Sequence, residues 1–289
     1  YGDIEKKGAV DTINSYINAG GNFIDTARRY DASESILGNY FKEYRNRKDI
    51  ILCSKTFAGQ KIETIPTIRE DVEESLKLMG TSYIDVYYLH QPPEDEDVIE
   101  AALTELEKAK EEGLIRHIGA SIKGPNVNQT TVDLCRKYIK LGRVEVFQVV
   151  YSILRQKLYD VILEAQDAGI GIVARTALES GFLSGNYRPG HVFTEPDHRA
   201  RWIEDNLKFI LEKTREIGKL VNPPYENIPQ MATKFTLANP GVSTLILGAR
   251  NSDQVIRNMK TEILPPLPEE TLNVLKQTYG NITECCNTK

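Results

Sequence analysis

The sequence is short of several things, and each shortage removes a class of function. Its 289 residues include four cysteines and four histidines. Cys53, Cys135, Cys285 and Cys286 form no CxxC pair and have no histidine close by, which argues against a zinc site and against a disulfide framework. The Cys285-Cys286 pair sits in a polar tail and reads as incidental rather than redox-active. No apolar run approaches the length of a membrane-spanning helix, and the opening "YGDIEKKGAV" lacks the pattern of a secretory signal. A cytoplasmic enzyme with no membrane partner is therefore expected. A formal net charge of −5 provides no field to draw the chain onto nucleic acid or an anionic bilayer. There is no GxGxxG turn, no fixed-period repeat and no low-complexity linker, so residues 1–289 read as one domain.

Alternation is what the sequence does have. Short runs rich in Ile and Val occupy 22–25, 49–54, 84–89, 115–120, 146–151, 170–174 and 243–247, as expected for strands buried on both faces. Between them lie amphipathic stretches that close on glycine, such as "AVDTINSYINAG", 67–80, "AALTELEKAKEEG" and "YDVILEAQDAG". Strand–helix alternation implies a parallel sheet. A (β/α)8 TIM barrel is favoured over an open doubly wound sheet, which usually announces itself with a glycine-rich turn. Seven strands are one short of a closed barrel. The first strand is expected ahead of Tyr1, on roughly 10–20 further residues. The strands ending near Asp25 and Ala249 would then flank a one-strand gap. The irregular stretch 184–200 has the size of a lid or binding arm.

The segment "NFIDTARRYDASESILG" (22–38) runs an apolar strand into a carboxylate. Taken alone, Asp25 or Thr26 reads as the cap of the next helix. The neighbouring strand ends change that reading. The next strand finishes "ILCSK" on Lys55 and the one after it "VYYLH" on His90. In a parallel barrel these ends are neighbours, about 5 Å apart, on the face where barrel active sites lie. An acid, a lysine and a histidine on adjacent strands suit proton transfer to an oxygen. Tyr30, on the loop after Asp25, is the phenol within reach. A free tyrosine, with a pKa of about 10, is a poor acid or base near neutrality, and an ammonium beside it favours the phenolate. A carboxylate orients the lysine, and His90 can hydrogen-bond the reacting oxygen.

These residues carry a resemblance. Asp25-Thr26-Ala27, Tyr30, Ser33-Glu34 and Leu37-Gly38 resemble the DTAxxYGxSExxLG signature of the aldo-keto reductase superfamily, with Asp31 in place of the usual glycine. Lys55 and His90 fall where that family completes its Asp-Tyr-Lys-His tetrad. The resemblance spans about residues 1–280 and is also to potassium-channel β subunits. It implies a small-molecule carbonyl substrate and NADPH bound without a Rossmann domain. Ser121 and Gln148 then match the partners of the nicotinamide carboxamide, although Ile122 stands where asparagine is common. Arg175 replaces the usual aromatic stacked on the nicotinamide, and Leu178, Ser180 and Gly181 follow beside the diphosphate. Gly248, Arg250, Gln254 and Asn258 match the adenosine phosphate end. The residues themselves support a phosphate site there, since "STLILGARNSDQVIRNM" (243–259) gives a strand, a turn and a helix start with Arg250 beside it.

The expected activity is NADPH-dependent reduction of an aldehyde or ketone, with Tyr30 as the acid. A sugar-like carbonyl fits as well, and a homo-oligomer is compatible with this class. Two alternatives remain: an NADPH-binding regulatory or scaffold subunit on the same fold, and a barrel using bound nicotinamide for an internal redox step. Arg28 and Arg29 flank Tyr30 and hint at an anionic or polyhydroxylated substrate; solvated arginines account for them equally well.

Overall fold

The computed structural model describes residues 6–44, 47–124, 127–195 and 197–280. Strands β1 (Phe23–Asp25), β2 (Ile51–Thr56), β3 (Ile84–His90), β4 (Ile115–Ser121), β5 (Val146–Val150), β6 (Gly171–Arg175) and β7 (Thr244–Leu245) form one parallel sheet. The helices are α1 (Lys6–Asn18), α2 (Ser33–Tyr44), α3 (Ile65–Met79), α4 (Glu96–Glu111), α5 (Gln129–Leu141), α6 (Tyr159–Asp167), α7 (Glu204–Gly218), α8 (Ile228–Leu237), α9 (Ser252–Met259) and α10 (Glu269–Tyr279).

Spatial order follows chain order from β1 to β7, with no reversal. A doubly wound sheet reverses at its switch point, so the sequential order is that of a (β/α) barrel. One hydrogen bond shows how far the sheet curls. Gln148 Nε2 on β5 donates to Asp25 Oδ1 on β1 at 2.7 Å. In a flat sheet these strands would stand roughly 19 Å apart, four spacings of about 4.8 Å. The side chains meet because the sheet rolls up and its inward positions converge.

Alternation sorts the strand residues into two sets. The outward set, including Leu52, Tyr87, Leu89, Ile118, Ala120, Phe147 and Ile172, packs under the helices as the main core. The inward set begins with a small floor of Cys53, Val86 and Tyr88, against which Phe23 and Val146 pack. Gly119 leaves room for that floor, since a Cβ there would lie 2.3 Å from the Tyr88 ring. One step further along each strand, the same face presents polar groups.

The strand over 243–247 is shorter than the sequence suggests. Only Thr244 and Leu245 pair with β6, followed by Ile246 N donating to Ala174 O at 2.9 Å. With a single partner among the described residues, the run has no second ladder there to hold it extended. Among the described residues β1 and β7 are the sheet's two edges and do not pair with each other. Helices α1 and α9 pack together nearby, and Ser252 Oγ donates to Asp11 O at 3.2 Å. The expected strand ahead of Tyr1, and Cys285-Cys286, lie outside the described residues. No helix among the described residues is long and apolar enough to cross a membrane.

The stretch 184–200 begins at the end of a 3-10 turn (Glu179–Ser184) and runs into a second one (His198–Arg201). It carries a small cluster of its own. The Phe193 ring packs edge-on against Phe182, Tyr187 and His191, and the Arg199 guanidinium lies over the Tyr187 and Phe193 rings.

Candidate active site

At the carboxyl end of the sheet the inward side chains form a connected polar network. Lys55 is wholly buried, and its Nζ donates to Asp25 Oδ2 at 2.5 Å and to the Thr26 carbonyl at 2.8 Å. Asp25 receives Gln148 on its other oxygen, and Ser121 Oγ donates to Gln148 Oε1 at 3.1 Å. The register explains this convergence, because His90 pairs with Ser121 and Ser121 with Gln148 on successive strands. The structure therefore brings Asp25, Lys55, Ser121 and Gln148 into one hydrogen-bonded chain.

Tyr30 and His90 complete the group. Lys55 Nζ lies 5.3 Å from the centroid of the Tyr30 ring, and the Tyr30 and His90 rings meet edge to face at 6.1 Å. Tyr30 is 44% exposed whereas Lys55 is at 0%, so the phenol is the member of the group that an incoming molecule can reach. His90 is mostly buried. Burial, with the charges of Lys55, Arg175 and Arg29, pushes its pKa from the ordinary 6.5 down to about 4. It is a neutral imidazole across the physiological range, able to donate from one nitrogen and accept at the other. Its Nδ1 has no hydrogen-bond partner among the described residues.

The loop that carries Tyr30 is fixed by a set of supporting hydrogen bonds. Thr26 Oγ1 donates to Ser33 Oγ at 2.7 Å, and Arg28 N donates to the Lys55 carbonyl at 3.1 Å. Glu34, buried at the start of α2, accepts from Ser54 Oγ at 2.6 Å and from Arg28 Nη1 at 2.5 Å. Arg28 also reaches Asp71 at 3.4 Å. Asp31 sits at φ 42°, a left-handed conformation that glycine adopts freely and that aspartate tolerates better than most residues. Gly38 is required by packing, since a Cβ there would stand 2.0 Å from the Leu78 carbonyl oxygen. Sequence reasoning missed the Glu34 hub and the Gln148–Asp25 bond. The serine-glutamate step in the motif was a signal for the first; only the inward register could have indicated the second.

Arg28 is therefore held by two carboxylates. Arg29 behaves differently. Its guanidinium carbon lies 3.3 Å above the centroid of the Phe57 ring, and Phe57 in turn packs edge-on against His90 at 5.7 Å.

The remaining expected site residues divide into two groups. Arg175 ends β6, and its Nη2 donates to the Ile122 carbonyl at 2.9 Å while its Nε has no partner among the described residues. Burial lowers its pKa from the usual value. The Ile122 side chain turns into the core under the helices, so the position supplies a backbone oxygen rather than an amide side chain. Leu178 leads into a turn in which Ser180 (φ 54°) and Gly181 (φ 89°) are left-handed, followed by a well-buried Phe182. Below this turn Glu179 is fully buried, accepting from Ser152 Oγ and paired with Arg155 at 2.6 Å. Gly248 and Arg250 are exposed beside the start of α9. There Asn251 Oδ1 accepts from Gln254 N at 3.0 Å and Gln254 Oε1 accepts from Arg250 N at 2.7 Å, a reciprocal cap. Asn258 lies half-buried one turn further on. No hydrogen bond among the described residues links this group to the Tyr30 network.

Two buried polar atoms near the Tyr30 end of the sheet, His90 Nδ1 and Arg175 Nε, thus have no partner among the described residues. Buried polar atoms are nearly always satisfied, which makes each of them a candidate partner for a polar ligand. Among the described residues no group of three or more His, Cys, Asp or Glu side chains is placed to hold a metal ion.

Known proteins resemble this chain in sequence and fold. The family model described as "Aldo/keto reductase family" matches residues 1–279. The aldo-keto reductase YhdN of Bacillus subtilis is 28% identical over 268 residues, covering 88% of this chain and 78% of that protein. The NADH-specific methylglyoxal reductase of Escherichia coli is 28% identical over 280 residues, covering 89% and 83%. The structure of aldo-keto reductase AKR11C1 from Bacillus halodurans in its holo form superposes with a TM-score of 0.77 at 24% identity, covering 99% of this chain and 91% of that one. With the sequential parallel sheet and the strand-end network already in place, the match across nearly the whole chain means that this protein belongs to the aldo/keto reductase family.

Proposed function

We propose that the protein is an NADPH-dependent reductase of aldehydes or ketones, with Tyr30 as the general acid. The observation that carries this reading is the grouping of an exposed phenol, a neutral imidazole and a buried ammonium at one strand-end cluster. The reduced nicotinamide, when bound, supplies hydride to the carbonyl carbon. Tyr30 delivers a proton to the carbonyl oxygen, which becomes the alcohol. The Lys55 ammonium favours the negative charge that develops on the phenol oxygen, and Asp25 fixes that ammonium in place. His90, neutral and edge-on to the Tyr30 ring, hydrogen-bonds the carbonyl oxygen and orients it toward Tyr30.

Arg175, Leu178, Ser180 and Gly181 would hold the nicotinamide and diphosphate, with Ser121 and Gln148 at the carboxamide. The orphan Nε of Arg175 supports a polar ligand on that side. Arg250, Gln254, Asn258 and Gly248 would hold the adenosine phosphate end. The preference for NADPH over NADH rests on Arg250, a charged and exposed group at a helix start suited to the extra phosphate. The relative from Escherichia coli is named for NADH, so this preference belongs to the proposal and not to the family.

The decisive experiment follows NADPH oxidation with a panel of simple aldehydes in wild type and Tyr30→Phe. General acid catalysis contributes roughly 10²–10⁴-fold, and the variant should lose that much turnover while still binding cofactor. Turnover within a few-fold of wild type would remove Tyr30 from the role. Cofactor that binds but is never consumed, with any carbonyl, would replace the reductase reading with a regulatory one.

A further inference from the structure

Around the reacting position the charges do not balance. Lys55 is neutralised by Asp25 at 2.5 Å, and His90 is neutral. Arg28 is occupied by Glu34 and Asp71. Arg29 and Arg175 are left, both close enough to act electrostatically on His90 and neither paired with a carboxylate among the described residues. Asp31, two positions beyond Arg29, is exposed, as is Arg29, so solvent and salt weaken any attraction between them.

Arg29 is also held in a particular posture. A guanidinium carbon 3.3 Å above a phenyl centroid requires the two planes to lie flat on one another. Stacking in that way uses the face of the guanidinium and leaves its N–H donors pointing outward in the plane. That edge is the part of arginine that grips a carboxylate with two parallel hydrogen bonds. Phe57, the platform beneath it, touches the His90 ring edge-on, and His90 touches Tyr30. The donor edge is therefore one aromatic ring away from the residues that handle the carbonyl oxygen.

We infer that Arg29, stacked on Phe57, is a substrate-binding residue that selects carbonyl compounds bearing a carboxylate. The inference rests on the reductase reading for the fate of the carbonyl, which is reduced as described while the carboxylate is unchanged. It adds a second anchoring point: the carbonyl oxygen lies at Tyr30 and His90, and the anionic end lies at Arg29. An uncharged aldehyde has only the first of these.

A matched pair of substrates tests the idea, 4-carboxybenzaldehyde and its methyl ester, methyl 4-formylbenzoate, which differ in charge and little in shape. Wild type should favour the acid over the ester in kcat/KM. Arg29→Ala should lower that acid-to-ester ratio by roughly 10- to 100-fold, the range open to a charge-assisted hydrogen bond. Arg29→Lys should keep part of the ratio, since it retains the charge and loses the flat donor edge. Raising the salt concentration should erode the wild-type ratio and leave that of Arg29→Ala unmoved. Binding of the product acid, 4-(hydroxymethyl)benzoate, measured by calorimetry in the presence of NADP+, gives a readout that needs no turnover. It should weaken in parallel in Arg29→Ala.

A ratio near one in wild type, or one that Arg29→Ala does not change, would overturn the inference while leaving the reductase reading intact. Failure of wild type to oxidise NADPH with either aldehyde, alongside Arg29-dependent binding of the product acid, would remove the reductase reading and support the anion site. Absence of both turnover and binding would overturn the two together.

Discussion

Lys55 and Asp25 face each other at 2.5 Å with the lysine side chain fully excluded from solvent. A buried pair loses far more when one partner is removed than when both are, because the survivor keeps its desolvation cost. Lys55→Met is therefore expected to destabilise the fold by about 3–5 kcal/mol, read from urea unfolding. The double variant Asp25→Asn, Lys55→Met should recover a good part of that loss while carbonyl reduction stays abolished. Equal instability in the single and double variants would mean that the pair is not coupled.

His90 sets a pH dependence whose sign follows from its depressed pKa. Unfolded histidine takes up its proton near 6.5, whereas folded His90 holds out to about 4. Its contribution to stability is thus complete above about pH 6.5 and is lost as the pH falls toward 4. Because the ring is partly solvated, the swing is expected to be on the order of 1 kcal/mol. His90→Gln should flatten the stability profile between those limits. In wild type the His90 ring resonance should stay unprotonated at pH 5; titration near 6.5 would contradict the buried, cation-flanked setting.

At the other end of the proposed cofactor site, Arg250→Ala is expected to weaken NADPH far more than NADH, since only NADPH carries the extra phosphate. Fluorescence titration of both cofactors against both proteins measures this directly. Equal losses would place the Arg250 charge away from that phosphate.

Glu179 and Arg155 form the second buried ion pair, beneath the turn proposed to run beside the diphosphate. Glu179→Gln removes one charge of the buried pair and should cost up to about 3–5 kcal/mol in unfolding free energy. Because Ser180 and Gly181 stand on that support, cofactor affinity should fall in the same variant. Unaltered affinity in a destabilised protein would separate the turn's shape from its foundation.

Much of the fold could be read along the chain, because buried parallel strands leave uninterrupted Ile- and Val-rich runs. The run at 84–89 is the strand Ile84–His90, and 115–120 is Ile115–Ser121. The 243–247 run forms a shorter strand than its apolar character suggests, because among the described residues it has one ladder partner rather than two. In the site, polar strand ends exposed Asp25, Lys55 and His90, and spacing in the motif exposed Tyr30. Pairing between side chains was not legible. Arg28 and Arg29 look alike in sequence, yet Asp71, 43 positions further along, holds Arg28 while Phe57 carries Arg29. Gln148 meets Asp25 across 123 positions, and no local periodicity encodes such a meeting.

Gly38 touches no reacting atom, yet it lets α2 settle against the end of α3, which seats Glu34 over Ser54 and Arg28. Most of the motif is thus scaffolding for a loop, and a single hydroxyl group is the chemistry that the loop presents. A chain could exchange Tyr30 for phenylalanine, keep Thr26, Ser33, Glu34 and Gly38, and still match the pattern almost perfectly. Likeness in this stretch vouches for the architecture that presents the phenol; on the proposed mechanism, one oxygen atom would separate a reductase from an inert copy of it.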